Sequence, residues 1–199
     1  MCNNISFLGP KGTFTHEAAY ILEGNLIPYC TIPAVMESVS NGECQFGVVP
    51  IENSIEGPVG LTLDSLAHKF DLKIFKEMVI PINQNLIVNP KTVMNDITDV
   101  YSHSQAIAQC QEFIRDNEIQ PHYAVSTASA AKSILGDKTK AAIGNSKAAE
   151  IYGLEILKPN IQDLDNNETR FVVLSKNDHE PTGRDKTSIC LLYTSPSPR

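Results

Sequence analysis

The sequence lacks the features that mark membrane proteins and nucleic-acid-binding proteins. No stretch approaches the ~20 consecutive apolar residues of a membrane-spanning helix, so we expect no membrane partner. Acidic residues outnumber basic ones by 23 to 16, which gives a net charge of −7 and leaves no basic stripe. Proteins that bind nucleic acid usually carry such a stripe, so nucleic acid is not an expected partner either. A small anionic ligand fits this composition, because its site needs only local hydrogen-bond donors.

Cysteine is present, but not in an arrangement typical of a disulfide framework or a metal site. The five cysteines are odd in number and scattered, and no CxxC pair occurs. This usage indicates a reducing compartment and no zinc site. The opening MCNNISFLGPKGTF has neither the charged segment nor the long apolar segment of a secretory signal peptide. We therefore expect a cytoplasmic protein.

The sequence does contain a repeating unit: a short apolar strand, then a small or polar cluster, then a helix. Strands predicted in this way lie at residues 5–8, 46–49, 100–101, 123–125 and 141–143. The alternation predicts an α/β fold with mostly parallel sheets. In open sheets of this kind, ligands bind at the carboxyl ends of the strands. We therefore expect the polar clusters to form one site.

The 199 residues, 42% of them hydrophobic, suffice for one large domain or two small ones. We place a boundary near residues 76–81 and predict a first lobe from residues 1–80 plus 161–180 and a second lobe from residues 81–160. Two crossovers of the chain between these lobes would create a hinge and a cleft. The last ten residues, CLLYTSPSPR (190–199), resemble a translated sequencing adapter and are left out of the fold prediction.

Two of the polar clusters allow a structural as well as a functional interpretation. GPKGTFTHEA (residues 9–18) places two glycines and Lys11 before a predicted helix, whose first N–H groups can hold an anion. The same glycines would also serve a plain strand–helix turn. VVPIENSIEG (residues 48–57) puts Asn53 directly after a strand. Its amide can donate and accept hydrogen bonds in a site, or it can form an Asx-type turn.

A third cluster is YSHSQAIAQC (residues 101–110), followed by apolar residues that recur at helical spacing as far as Ile114. The spacing predicts one helix that starts just after Ser102. Gln109 lies seven residues beyond Ser102, which is two helical turns, so we expect the two side chains on one side. His103 is a candidate proton donor or a helix cap. A Ser–His hydrolase is disfavoured, because no GxSxG elbow occurs and adjacent residues leave a strand in opposite directions.

The segment NETRFVVLSK (residues 167–176) places a polar pair ahead of an apolar run. The run FVVL is short and rich in β-forming residues, as in an interior strand. Arg170 can bind a carboxylate through a bidentate fork, or pair with an acidic neighbour, Asp165 or Glu168. If strand geometry already holds at the polar pair, Arg170 points away from Thr169 and the two do not share a pocket.

Taken together and in this order, GPKGTFT, PIENSIEG, YSHSQAIAQC, STASAA and NETRF resemble the catalytic domain of prephenate dehydratase, over about residues 4 to 180. The resemblance implies a two-lobed α/β fold like that of type II periplasmic binding proteins, with the ligand cleft between the lobes. It also implies a dimeric enzyme without cofactor or metal that converts prephenate to phenylpyruvate in phenylalanine biosynthesis. The alternatives are arogenate dehydratase and a non-catalytic protein of the same fold that binds small anions.

The same resemblance supplies candidate site residues. Thr169 corresponds to the family's essential threonine, as either proton donor or hydrogen-bond donor, and Asn53, Ser102 and Gln109 fall where the family has other catalytic polar residues. Candidate substrate-binding residues are Lys11, Thr13, Ser126, Thr127, Arg170 and Phe171. KTSI, within residues 181–189, resembles the start of the ACT domain that binds phenylalanine in this family, so we expect a chain cut at 189 to be active but insensitive to phenylalanine.

Overall fold

The chain folds into two β-sheets with helices packed against them. The computed structural model describes residues 3–189, so the adapter-like segment 190–199 lies outside the described residues. Within this range the strands are β1 Asn4–Leu8, β2 Asn25–Tyr29, β3 Phe46–Asn53, β4 Gly57–Pro58, β5 Lys73–Pro81, β6 Asn85–Val88, β7 Asp99–Ser102, β8 Gln120–Tyr123, β9 Lys140–Gly144, β10 Glu155–Lys158 and β11 Glu168–Ser175.

Short helices connect most of these strands. They are α1 Phe14–Tyr20, α2 Ile32–Ser40, α3 Gly60–His68, α4 Ser104–Ala108, α5 Gln111–Asp116, α6 Thr127–Ser133 and α7 Ser146–Tyr152. Side-chain oxygens of Thr13, Thr31, Ser126 and Asn145 accept hydrogen bonds from backbone N–H groups in the first turns of α1, α2, α6 and α7. Gly153 ends α7 in the left-handed conformation.

The sheets are mixed, so the expectation of mostly parallel sheets is wrong. The first sheet has the order β2-β1-β3-β11-β5, with β4 beside β3. In it β1 pairs in parallel with β2 and β3, whereas β11 is antiparallel to both β3 and β5. The second sheet has the order β10-β6-β9-β7-β8 and is parallel only around β7. Alternation of strands and helices predicts the parallel strands of βαβ units. It does not predict how β5 and β11 pair, because these two strands join the sheet in antiparallel orientation.

Strand β11 is the interior strand that its apolar run predicts. It lies between β3 and β5, and its side chains alternate between two apolar clusters. Phe171 and Val173 pack with Phe7 on one face of the sheet, and Val172 and Leu174 pack on the other. The chain forms β6 to β10 in the second sheet and then returns to the first sheet as β11. The two sheets confirm the predicted two-lobed α/β fold.

The single helix predicted after β7 is two helices, α4 and α5. The chain leaves helical geometry at Cys110, whose φ and ψ are −128° and 30°. Asp163, in the segment that returns to the first lobe, accepts hydrogen bonds at its carboxylate from the backbone N–H groups of Gln111 and Glu112, at 2.9 and 3.1 Å. Its own N–H donates to the carbonyl of Gln109 at 2.7 Å. Asp163, which is distant in sequence, therefore caps α5 at a point where the spacing of apolar residues had predicted that α4 would continue.

The two lobes are in contact beside α1. Gly12 has φ +89°, and a Cβ there would lie 3.4 Å from both Ala128 and Ala148 of the second lobe. Asn145 Nδ2 donates to Glu17 Oε2 at 3.2 Å across this contact. Burial raises the pKa of the Glu17 carboxyl, more than the hydrogen bond from Asn145 lowers it. A charge at Glu17 is therefore held in a partly desolvated contact between the lobes.

We expect Glu17→Gln to raise the midpoint of thermal unfolding at neutral pH. Since the folded-state pKa of Glu17 is raised, the carboxyl stabilises the fold fully below its unfolded value near 4.5, and this contribution is lost as pH rises through the raised value. The variant keeps an acceptor for Asn145 and has no charge to desolvate. Its advantage over the wild type should vanish at about pH 4 or below. Glu37→Gln, at an exposed position on α2, is the control, and an equal gain there would contradict this account.

Candidate functional site

A cavity of about 390 Å³ opens between the two lobes. Polar side chains of both lobes line it, together with apolar residues that include Phe171, Ile82 and Val125. The polar lining residues are Thr13, Thr15, Asn53, Glu56, Gln84, His103, Gln105, Gln109, Ser126, Thr127, Asn167 and Thr169. The expectation that the polar clusters meet in one place therefore holds for most of them.

Asn53, at the end of β3, hydrogen-bonds to several residues in the wall of the cavity. Its Oδ1 accepts hydrogen bonds from the backbone N–H groups of Ile55 and Glu56, both at 3.0 Å. Because backbone N–H groups can only donate, this pair fixes which end of the amide is the oxygen. The Nδ2 atom must then face β11, where it donates to Thr169 Oγ1 at 2.8 Å and to Asn167 Oδ1 at 2.7 Å. Asn53 therefore forms the Asx-type turn and also donates hydrogen bonds to residues that line the cleft, so both interpretations from the sequence apply.

Thr169 presents its hydroxyl to the cavity as a donor. The residue is 9% exposed, and its oxygen accepts from Asn53 Nδ2. Because the N–H of Asn53 occupies a lone pair of the Thr169 oxygen, the hydroxyl proton of Thr169 is left to donate to another acceptor. Thr169 pairs with Asn53 on one neighbouring strand and with Ile80 on the other, so both sides of the strand hold it in place.

Arg170 lies on the opposite face of the sheet from Thr169. Its guanidinium is 3.5 Å from Glu52 and 3.6 Å from Glu77, and it does not line the cavity. Strand geometry already holds at the polar pair, so successive side chains alternate across the sheet. Arg170 is thus an ion-pair residue, with partners other than the two acidic neighbours named from the sequence.

Lys11 and Ser102 also lie outside the lining. Lys11 is exposed beside Gly12. Ser102 is fully buried, and its Oγ donates to the carbonyl of Ile143 at 2.7 Å. Ser102 and Gln109 do not share one helical side, although their spacing had predicted this, because Ser102 belongs to β7 and the helix begins only at Ser104.

Gln109 is joined to a residue that the sequence did not single out. Gln84 Nε2 donates to Gln109 Oε1 at 3.1 Å, and Gln84 is 3% exposed. Gln109 ends α4 as its C-cap, where the interrupted helix leaves its side chain at the cavity. The position of Gln84 at the first crossover between the lobes is the only sequence signal that could have indicated it.

The mouth of the cavity is spanned by a contact between the lobes. Gln105 Nε2 donates to Glu56 Oε2, which joins α4 to the turn after β3. His103 Nδ1 accepts from the backbone N–H of Gln105 at 3.3 Å, which is the helix-capping alternative for this residue. A ring whose Nδ1 accepts carries its proton on Nε2 when neutral. His103 is therefore both a cap and a lining residue with a donor to offer.

The four remaining candidates also line the cavity. Thr13 and Ser126 do so as N-caps of α1 and α6, and Thr127 follows Ser126 in the first turn of α6. Phe171 is 2% exposed and supplies apolar surface next to Thr169. The seven predicted residues that the structure brings together are Thr13, Asn53, Gln109, Ser126, Thr127, Thr169 and Phe171.

Across residues 3–189, the lining of the cavity includes one acidic side chain, Glu56, and one histidine, His103, but no lysine or arginine. Burial raises the pKa of the nearby Cys110 thiol to about 12, which makes that cysteine a poor nucleophile.

Among the described residues, no three His, Cys, Asp or Glu side chains lie close enough together to bind a metal ion. Nor is any helix in this range long and apolar enough to cross a membrane.

Comparison with known proteins finds a family match over most of the chain. Residues 5–179 match the family described as Prephenate dehydratase. The chain is 43% identical over 190 residues to a bifunctional chorismate mutase/prephenate dehydratase of Aquifex aeolicus, and 40% identical over 185 residues to a prephenate dehydratase of Bacillus subtilis. A crystal structure of prephenate dehydratase in complex with L-Phe from Arthrobacter aurescens superposes with a TM-score of 0.81 at 33% identity.

These matches cover most of this chain but only part of its relatives. The Aquifex match covers 93% of this chain and 52% of the relative, and the Bacillus match covers 88% and 65%. The Arthrobacter structure is covered to 63%, against 92% of this chain. The chain thus spans about half to two thirds of the length of these three proteins.

We expect Asn53→Ala to lower the free energy of unfolding by about 1–2 kcal/mol, because the change removes hydrogen bonds to the turn after β3 and to β11. Chemical denaturation in urea measures this. Asn25→Ala is the matched control, since Asn25 is exposed and its Nδ2 makes a single side-chain bond, to Asn4. The control should change stability by less than about 0.5 kcal/mol. Equal effects of the two substitutions would show that Asn53 does not organise the wall.

Proposed function

The chain belongs to the prephenate dehydratase family, and from that premise we propose that it catalyses the decarboxylating dehydration of prephenate to phenylpyruvate, a step of phenylalanine biosynthesis. The observation that carries the proposal is the Thr169 hydroxyl, held as a donor by Asn53 in a cleft between two lobes. Thr169 lies in the NETRF segment on which the family resemblance rests most heavily.

Prephenate is a cyclohexadiene with a carboxylate and a pyruvyl group on one ring carbon and a hydroxyl on the carbon opposite. The bond from the ring to the carboxylate breaks, and its electron pair enters the ring. The bond from the ring to the hydroxyl breaks with its pair on oxygen. The dianion thus becomes phenylpyruvate, carbon dioxide and hydroxide. Since the ring becomes aromatic, the reaction is strongly favourable, and the protein's task is to orient the dianion and stabilise the departing oxygen.

Thr169 is the residue we assign to the departing hydroxyl. A threonine is a poor acid, so its role is hydrogen-bond donation to the oxygen as charge develops there, rather than full proton transfer. Donors that are already oriented before the reaction stabilise such charge without reorganisation. The bond from Asn53 supports this role, because it occupies a lone pair of the threonine oxygen and leaves its proton for the substrate.

The two carboxylates of prephenate need hydrogen-bond donors other than Arg170 and Lys11, because neither residue lines the cavity. We assign them to the second-lobe wall, where Gln109 Oε1 is engaged by Gln84 and its Nε2 is left to donate. The hydroxyls of Ser126 and Thr127 lie on the same wall. Uncharged donors at fixed positions bind carboxylates by hydrogen bonds, and their contribution grows in a site that excludes water.

The apolar part of the cavity suits the ring. Phe171 and Ile82 line it beside Thr169, and Val59 and Ala106 lie on the two sides of the cleft. Holding the ring flat between the lobes would fix the hydroxyl at Thr169 and the carboxylates at the opposite wall. Positioning of this kind supplies a large share of the rate in a reaction that needs no electron sink.

We further propose that the protein works in the cytoplasm as a homodimer, with lobes formed by residues 1–80 plus 161–180 and 81–160, and with an ACT domain beginning at 181–189. The family resemblance supports the dimer and the ACT domain. The sheets support the lobe limits, since β11 lies in the first sheet and β6 to β10 lie in the second. Light scattering on the purified chain tests the oligomeric state.

The direct test of the proposed function is incubation of the purified chain with prephenate, with phenylpyruvate followed by its absorbance. We expect equal amounts of phenylpyruvate and carbon dioxide. Arogenate, which has an amino acid side chain in place of the pyruvyl group, serves as the comparison substrate. Faster turnover of arogenate would identify the chain as an arogenate dehydratase, and binding of prephenate without turnover would identify a non-catalytic binding protein.

For Thr169→Val we expect kcat to fall by at least ~10²-fold, a typical loss when one oriented donor to a developing oxyanion is removed. Valine has nearly the shape of threonine without the hydroxyl. Thr169→Ser is the matched control, because it keeps the hydroxyl and should retain most of the activity. Near-normal turnover by a folded Thr169→Val protein would contradict the assignment.

A further inference from the structure

Two of the buried polar atoms that lack a hydrogen-bond partner lie in the wall of the cavity. Among the described residues, four buried side-chain atoms have no such partner: Ser65 Oγ, Gln84 Oε1, Thr92 Oγ1 and Asn167 Nδ2. Gln84 and Asn167 line the cavity, whereas Ser65 and Thr92 do not. A buried polar atom without a partner costs stability, so its presence in a site indicates a partner that arrives with the ligand.

The orientation of the Asn167 amide follows from its neighbours. Asn53 Nδ2 faces Asn167 because the other end of the Asn53 amide accepts from two backbone N–H groups. The atom of Asn167 that meets this donor at 2.7 Å must therefore be its oxygen. The nitrogen of Asn167 is the atom left over, and it is a donor.

Asn167 is held firmly and close to Thr169. The residue is 3% exposed, and its backbone carbonyl accepts a hydrogen bond from the N–H of Ile82 at 2.8 Å, at the crossover between the lobes. Asn167 Oδ1 and Thr169 Oγ1 accept from the same nitrogen of Asn53. The free amide of Asn167 and the free hydroxyl of Thr169 are therefore neighbouring donors in one wall.

We propose that Asn167 Nδ2 donates a hydrogen bond to the hydroxyl that leaves prephenate, beside the bond from Thr169. The inference rests on the proposed function and adds a second donor to it. As the ring carbon–oxygen bond breaks, its electron pair goes to oxygen and hydroxide departs. Neither donor gives up its proton in this step. Two oriented donors meet the developing charge, which relieves the demand on threonine as an acid.

The structural role of Asn167 and its proposed role use different atoms. Support of Asn53 needs only an acceptor, which Oδ1 supplies. Asn167→Asp keeps an oxygen at that place and has nearly the same shape, but it replaces the free donor with an acceptor. A residue that served only to hold Asn53 would tolerate this change.

The test is steady-state turnover of prephenate by Asn167→Asp between about pH 5 and pH 8. At pH 8 we expect kcat to fall by about 10²-fold with KM changed much less. As pH falls, the new carboxyl takes up a proton and becomes a donor again, so the ratio of wild-type to variant kcat should shrink. Asn167→Ser, which cannot reach the same position, serves if the first variant does not fold, and should show the loss without recovery at low pH.

Thr92→Val is the matched control, since Thr92 Oγ1 is also buried without a partner but lies outside the cavity. It should leave kcat unchanged. For Asn167→Asp, normal kcat, a loss of kcat that does not shrink at low pH, or a rise in KM alone would each overturn the inference while leaving the proposed function intact. For Asn167→Ser, normal kcat would overturn it in the same way. Failure of the wild-type protein to convert prephenate would overturn both.

Discussion

The arrangement of the cavity depends on the side-chain amide of Asn53. Two backbone N–H groups in the turn after β3 decide which end of this amide is oxygen. The other end then sets the hydrogen-bonding roles of Thr169 and Asn167, which lie in and just before β11. A local turn thus determines which protons are free in the cleft. No charged group is needed for this, since each role follows from what the previous neighbour can donate or accept.

The path of the chain brings these residues together. The first crossover carries Gln84 toward the second lobe, and the return segment brings Asn167 and Thr169 back beside Asn53. The antiparallel pairing of β11 with β3 places Thr169 opposite Asn53, and strand alternation sends Arg170 to the other face among Glu52 and Glu77. The strand therefore separates a site residue from an ion-pair residue that is adjacent in sequence.

Local signals predicted the parts of the fold that local interactions determine. The apolar run of β11 and the helix that begins within GPKGTFTHEA are examples, because each depends on residues a few positions apart. Most of the cavity-lining candidates followed from the order of several motifs rather than from any one of them. The break between α4 and α5 could not be predicted, since Asp163 makes it from 52 positions away. The bond between Asn53 and Asn167 spans 114 positions and was equally invisible.

The central claim is that Asn53 acts through the donors that it orients, and a double-mutant cycle on kcat/KM for prephenate tests it most directly. The cycle compares Asn53→Asp, Thr169→Val and the double variant, with each protein shown to be folded. If Asn53 acts through its partners, adding Asn53→Asp to Thr169→Val should reduce kcat/KM by a much smaller factor than Asn53→Asp does in the wild type. Two factors that simply multiply would show that Asn53 and Thr169 act independently, and would contradict the account.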